Sequence, residues 1–77
     1  MKPEYEPEYR QIGLKIAYYR KLRGLTQEQL AEKVERTPAF IGHIEAPNIN
    51  KAVSLDTLFD IASVLDVPAY KFLLFDE

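Results

Sequence analysis

The segment 26–45 constrains the fold most, because it contains two helix starts separated by a very short turn. Thr26 is followed three residues later by Gln29, which is the capping-box pattern at the start of a helix. Thr37 precedes Pro38, and a threonine cap before a proline in the first helical position predicts a second start. Two capped helices joined by a three-residue turn are typical of a helix-turn-helix arrangement. The predicted helices cover about 27–34 and about 38–46.

Apolar residues also recur at three- and four-residue steps on both sides of this segment, as in helices that bury one face. A first helix is predicted from Glu8 to a stop at Gly24. A fourth is predicted after the cap Ser54, and a fifth from Pro68. No stretch alternates convincingly like a strand. The sequence therefore predicts an all-α fold of five short helices around one core.

The first nine residues differ from the rest, because a Pro-Glu-Tyr unit occurs twice in them. Prolines favour extended backbone for themselves and for the residue before them. Chain ends are in general the least ordered part of a domain. We therefore expect residues 1–9 to form a poorly ordered arm and residues 10–77 to form the folded domain.

The composition argues against several classes of function. A chain of 77 residues holds one small core and no deep catalytic cleft, so we expect no enzyme. With no cysteine and a single histidine, His43, neither a metal site nor a cofactor is expected. The net charge of −2 excludes a uniformly basic surface but allows a local basic patch. No apolar run has membrane-spanning length, so we predict no membrane partner and a cytoplasmic location.

The sequence resembles the Cro/repressor-type (Xre-type) helix-turn-helix regulators, which have the lambda-repressor-like fold. The resemblance covers about residues 11–74 and rests on the blocks IGLKIAYYRKLRGLTQEQLA, FIGHIE and SLDTLFDIASVLDVPAYKFLL. Arg20, the corner from Gly24 to Gln27 and the Leu30-Ala31 pair fall at the family's spacing. The resemblance implies a transcription regulator that binds double-stranded DNA sequence-specifically and needs no cofactor.

The resemblance also implies DNA-binding roles for individual residues. Gln27 corresponds to a phosphate-binding glutamine, and Arg20 to an arginine that pairs with Glu45 and lies near the phosphates. Thr37 caps the recognition helix, where free amides suit a phosphate, and Lys51 lies in a loop that follows a DNA strand. The positions that face base edges, or lie between those that do, are Pro38, Ala39, Phe40 and His43.

Some features depart from the family pattern. The family often has glycine where Glu35 stands, and a left-handed turn costs a non-glycine residue roughly 1 kcal/mol. Pro38 and Ala39 offer no side-chain hydrogen bond to a base, so only His43 can donate or accept. A run of basic residues on the first helix leads into the corner that is expected to face DNA phosphates, and we expect these charges to contribute to DNA binding. These residues are Arg10, Lys15, Arg20, Lys21 and Arg23.

Two further expectations concern partners. The C-terminal segment carries more aromatic residues than a small core can bury, and Phe72 to Phe75 form a continuous apolar run. The family commonly forms a homodimer in this region, through helices four and five. The alternative function is a protein-interaction or antitoxin-like module on the same fold with weak DNA readout, which the acidic total and the Pro-Ala recognition positions favour.

Overall fold

A computed structural model describes residues 2–49 and 51–75, and the regular structure in those ranges is entirely helical. Four α-helices lie between a short 3-10 turn and a C-terminal 3-10 helix. In chain order, the bounds are a 3-10 turn at Pro3–Tyr5, α1 Glu6–Leu22, α2 Gln27–Lys33, α3 Pro38–Glu45, α4 Leu55–Leu65 and the 3-10 helix Ala69–Leu73. The predicted all-α class and helix-turn-helix are confirmed.

Side-chain caps begin three of the helices where the sequence predicts them. Gln29 N–H donates to Thr26 Oγ1 at 3.0 Å, and Thr26 N–H donates back to Gln29 Oε1 at 2.8 Å. Thr37 Oγ1 accepts from the backbone N–H of Phe40 at 3.1 Å, and Ser54 Oγ caps α4 in the same way. Each cap satisfies a backbone donor that a helix start leaves without a partner.

Three helices end in the same way, with a left-handed residue that closes the last turn. Gly24 has φ 74° after α1, Glu35 has φ 58° after α2, and Asp66 has φ 56° after α4. After α2, the N–H of Arg36 donates to the backbone oxygen of Ala31 at 2.9 Å. This bond from the sixth residue back to the first is the Schellman pattern. The turn at Glu35 is therefore left-handed, and a residue with a Cβ occupies the position that glycine favours.

We predict that Glu35→Gly raises the free energy of unfolding by about 0.5–1 kcal/mol, because glycine removes the steric cost of the positive φ. Urea denaturation checks this value. The matched control is Glu32→Gly inside α2, which should lower stability by about 1 kcal/mol. If Glu35→Gly and Glu32→Gly lowered the free energy of unfolding equally, the positive φ at Glu35 would carry no steric cost.

The core lies between the four helices, and the C-terminal 3-10 helix packs against α1 and α4. Its largest fully buried side chains come from every α-helix and from that last segment: Ile16, Leu30, Ile41, Leu58, Ile61, Leu65 and Phe72. Tyr19 packs edge-on against Phe72, with 5.4 Å between ring centroids. This contact ties the end of the described chain to α1.

Helices α1 and α3 approach most closely at Gly13. A Cβ on Gly13 would collide with the backbone oxygen of Ile44 in α3. Real Cβ atoms do not approach a backbone atom this closely, so only glycine fits. Gly13 therefore fixes the position of the recognition helix against α1. Ala31 of α2, which falls at the family's spacing, is also fully buried.

The structure corrects two expectations at the ends of the chain. The predicted fifth helix is a five-residue 3-10 helix, Ala69–Leu73, because burial of Phe72 holds a short segment after Pro68 against the core. The first helix, expected to begin at Glu8, begins at Glu6 and follows a 3-10 turn, so the turn and the start of α1 lie within the segment 1–9 that was expected to form a poorly ordered arm. Pro7 lies in the first turn of α1, where a missing N–H costs nothing. Met1 lies outside the described residues.

Candidate nucleic-acid interface

Helix α3 presents one face to solvent and one to the core. Ile41, Ile44 and Glu45 are buried, whereas Pro38, Ala39 and His43 are exposed. At 100° per residue the three exposed positions share one side of the helix with Gly42. The side chains predicted to face base edges therefore lie together on an accessible surface, and Thr37 caps its N-terminal end.

Behind that surface, Arg20 and Glu45 form a buried bidentate ion pair between α1 and α3. Arg20 Nε donates to Glu45 Oε2 at 2.7 Å, and its Nη2 donates to Oε1 at 2.9 Å. Arg20 Nη1 also donates to the backbone oxygen of Leu25 at 2.7 Å. The side chains are only 8% and 5% exposed, so the predicted structural pair is confirmed. A direct phosphate contact by Arg20 stays a prediction, and burial argues against it.

Gln27, the first residue of α2, extends the same network. Its side-chain amide donates to Glu45 Oε1 at 3.0 Å, and its Oε1 points toward Gly42 of α3. One amide proton is used inside the protein, and the second makes no hydrogen bond among the described residues. Glu45 thus orients the predicted phosphate-binding side chain, a link that the sequence analysis did not identify.

Phe40 does not share the exposed face of α3, although it is among the predicted site residues. It is half-buried against the core, and its ring lies beneath two cations. The guanidinium carbon of Arg36 is 4.8 Å from the ring centroid, and Lys51 Nζ is 5.4 Å from it. Lys51 was predicted as a site residue, whereas Arg36 was missed because its turn position carries no helical pattern.

Three of the five residues of the predicted basic run make hydrogen bonds within the protein. Besides buried Arg20, Arg10 Nε donates to Pro47 O at 2.9 Å, in the loop after α3. Arg23 donates to Leu65 O at 2.7 Å and to Asp66 O at 3.1 Å. A cation at these carbonyls stabilises the C-terminal end of α4. Three of the five charges therefore help to hold the fold together, a role that the charge run alone does not indicate.

A second surface, which we call the C-terminal groove, is apolar. It has a volume of about 370 Å³ and lies between the start of α1, the start of α4 and the last described residues. Its exposed apolar lining consists of Tyr5, Leu55, Leu73 and Phe75. Leu74, next to it, is 53% exposed. The predicted excess of apolar residues at this end of the chain is therefore real.

None of the helices within residues 2–49 and 51–75 combines the length and the apolar character needed to cross a membrane. The same ranges hold no cluster of three or more histidine or acidic side chains arranged to bind a metal ion.

Comparisons with known proteins agree with this geometry. Residues 16–72 match the helix-turn-helix family HTH_3. A search of curated proteins finds no match. The crystal structure of the master regulator for biofilm formation SinR in complex with DNA is 33% identical in sequence, with a TM-score of 0.75. That match covers 82% of this chain and 98% of the SinR chain. The chain belongs to the Cro/C1-type, Xre-like helix-turn-helix family of DNA-binding transcription regulators.

Proposed function

We propose that the chain regulates transcription by binding a DNA operator, with α3 in the major groove and α2 across the backbone. The observation that carries this proposal is the exposed face of α3, which the buried Arg20–Glu45 pair holds beside Gln27. A rigid helix with a free outer face is what major-groove entry requires. The similarity to SinR, whose structure was determined in complex with DNA, supports DNA binding by this chain.

The proposed interface divides its contacts between phosphates and bases. Gln27 and the capped start of α3 at Thr37 bind phosphates, which carry no sequence information. His43 supplies a hydrogen bond to a base, while Pro38 and Ala39 contact thymine methyl groups. Base discrimination by a single helix is therefore modest, and DNA shape contributes to it. We keep the prediction that the chain catalyses no reaction. A regulator acts where its DNA lies, and we propose that this is the cytoplasm.

We predict that Gln27→Ala and His43→Ala have different signatures in DNA binding. Gln27→Ala should weaken binding to every sequence by a similar factor, since it removes a phosphate contact. His43→Ala should reduce the difference in binding free energy between the preferred base and the other bases at one position by about 1–3 kcal/mol. Fluorescence anisotropy on an operator and its single-base variants measures both. A uniform loss for His43→Ala, or a base-dependent loss for Gln27→Ala, would overturn the assignment.

We also propose that two copies of the chain pair through the C-terminal groove. The groove and the adjacent Leu74 form an apolar surface that a symmetric dimer buries twice. A symmetric pair of this kind binds two half-sites about 34 Å apart, one helical turn of DNA, with one α3 helix in each. Two weak half-site contacts then gain affinity from their effective concentration.

The pairing prediction is tested by Leu74→Asp combined with Phe75→Asp. Both side chains are at least 40% exposed, so we expect a folded monomer that binds operator DNA far more weakly than the wild type. Analytical ultracentrifugation over a concentration series measures the mass, and circular dichroism checks the fold. Leu22→Asp, equally exposed on α1, is the matched control and should still pair. A wild-type chain that stays monomeric with and without DNA would contradict pairing.

The second candidate function, a protein-interaction or antitoxin-like module, is favoured by one face of α1. Leu14, Tyr18 and Leu22 are 49–60% exposed and lie four residues apart on the side of α1 away from the core. Lys15 and Lys21 flank this stripe, so it fits a partner helix that carries apolar and acidic side chains. A gel shift with random-sequence competitor separates the two functions. Binding that random DNA competes away fully would favour the partner-binding module.

A further inference from the structure

One aromatic ring beside α3 holds two positive charges. Phe40 lies one turn into α3, with Arg36 before the helix and Lys51 after it in the chain. Both cations lie within 6 Å of the ring centroid, the range in which a ring face attracts a cation. The turn before α3, the first turn of α3 and the loop after it therefore meet at a single ring. We call this arrangement the Phe40 cation cluster.

The guanidinium of Arg36 is fixed by a second contact as well. Its Nη2 donates to Thr57 Oγ1 in α4 at 2.9 Å, and Ser54 Oγ donates to the same oxygen at 3.0 Å. Thr57 is buried, so this anchor is part of the folded core. The Phe40 ring and Thr57 both hold the Arg36 guanidinium in place. A charged side chain that is already held in this way loses little conformational entropy when it binds a ligand.

The cluster carries two positive charges that form no salt bridge with the carboxylates of residues 2–49 and 51–75. Among the described residues, the ion pair within 4.0 Å is Arg20–Glu45, and neither Arg36 nor Lys51 has a carboxylate at that distance. Their distances to one centroid place the two charges within about 10 Å of each other, close to the screening length at physiological salt. Both side chains are exposed. An anion at this site therefore gains from two cations at once.

We infer that Arg36 and Lys51 bind DNA phosphates as a pair, and that Phe40 is the positioning residue that holds them beside the groove entered by α3. The inference rests on the proposed function and adds Arg36 to the interface. It also explains why an aromatic residue lies in α3 without facing the bases. Two cations this close together suit phosphates along one DNA strand, at one edge of the groove that α3 enters.

The charges are tested by the salt dependence of binding. Arg36→Gln and Lys51→Gln should each reduce the slope of log K against log[salt] by about 0.9, and should weaken binding to all sequences alike. The matched control is Lys71→Gln, in the 3-10 helix at the far end of the chain, which should leave the slope unchanged. Wild-type slopes for Arg36→Gln and Lys51→Gln would overturn the inference.

The ring is tested by Phe40→Leu and Phe40→Tyr. Leucine keeps an apolar side chain against the core but removes the ring face, and we expect operator affinity to fall about two- to fivefold. Tyrosine keeps the ring and should restore wild-type affinity. Thermal melting must show that both variants fold. Equal affinities for the folded leucine and tyrosine variants would overturn the positioning role.

These outcomes separate the cluster from the wider proposal. If the wild type binds DNA and Arg36→Gln does not change the slope, the cluster fails while the operator-binding function stands. If the wild type binds no DNA at any salt concentration, the proposed function fails and the cluster with it.

Discussion

Arg20→Ala should lower the free energy of unfolding by about 3–5 kcal/mol, because it leaves the buried carboxylate of Glu45 without its partner. The same change removes the donor to Leu25 O and the pair that holds Glu45 against Gln27. Urea denaturation followed by circular dichroism measures the loss. DNA affinity should fall in parallel, because α3 loses its main polar link to α1.

Two variants show whether the burial of the pair causes this loss. Arg10→Ala removes an exposed arginine with one bond to Pro47 O, and should cost no more than about 0.5 kcal/mol. Arg20→Met with Glu45→Leu removes both charges together and should recover much of the stability lost in Arg20→Ala. An Arg20→Ala protein with the wild-type unfolding midpoint would show that the pair contributes nothing to the fold.

Gly13→Ala should destabilise the protein by about 2–3 kcal/mol, although alanine is the better helix former by about 1 kcal/mol. The added Cβ would collide with the backbone oxygen of Ile44, so α1 and α3 must move apart. The Arg20–Glu45 pair joins the same two helices and would be stretched by that movement. Urea denaturation and operator affinity should therefore both report the substitution.

Gly42→Ala is the matched control, since it makes the same chemical change in a helix with room for it. A Cβ on Gly42 would lie 3.5 Å from Gln27 Oε1, which is ordinary contact with a flexible side chain. This substitution should stabilise the protein by up to about 1 kcal/mol. If the two glycine substitutions changed stability equally, the close approach of α1 and α3 would not limit the fold.

Local chemistry made most of the helix starts predictable from the sequence. Each side-chain cap accepts a hydrogen bond from a backbone N–H within four residues, so these bonds follow from spacing alone. The caps are Thr26 with Gln29, Thr37 before Pro38, and Ser54. The expected pairing of Arg20 with Glu45 rested on the family resemblance, because it spans 25 residues. Helix ends were less certain. The capless start at Glu6 and the short 3-10 helix after Pro68 both depend on tertiary packing.

The features that no short pattern predicts arise where distant segments meet. Gly13 looks like a weak point in a helix until the backbone of α3 is placed against it. The sequence alone is consistent with Phe40 as a core residue or a base contact, whereas the structure places Arg36 and Lys51 at its ring. The basic run on α1 looked like a DNA-binding patch because charge can be counted in a sequence. The carbonyl partners of Arg10 and Arg23 cannot be found in that way.

Selection of bound sequences from a random pool of duplex DNA tests most directly the claim that the exposed face of α3 discriminates between bases. The wild-type chain should enrich a defined motif, with two half-sites one helical turn apart if the chain pairs through the C-terminal groove. His43→Ala should broaden one position of that motif in each half-site. Recovery of the pool without enrichment, with equal affinity for every duplex, would contradict sequence-specific binding by α3.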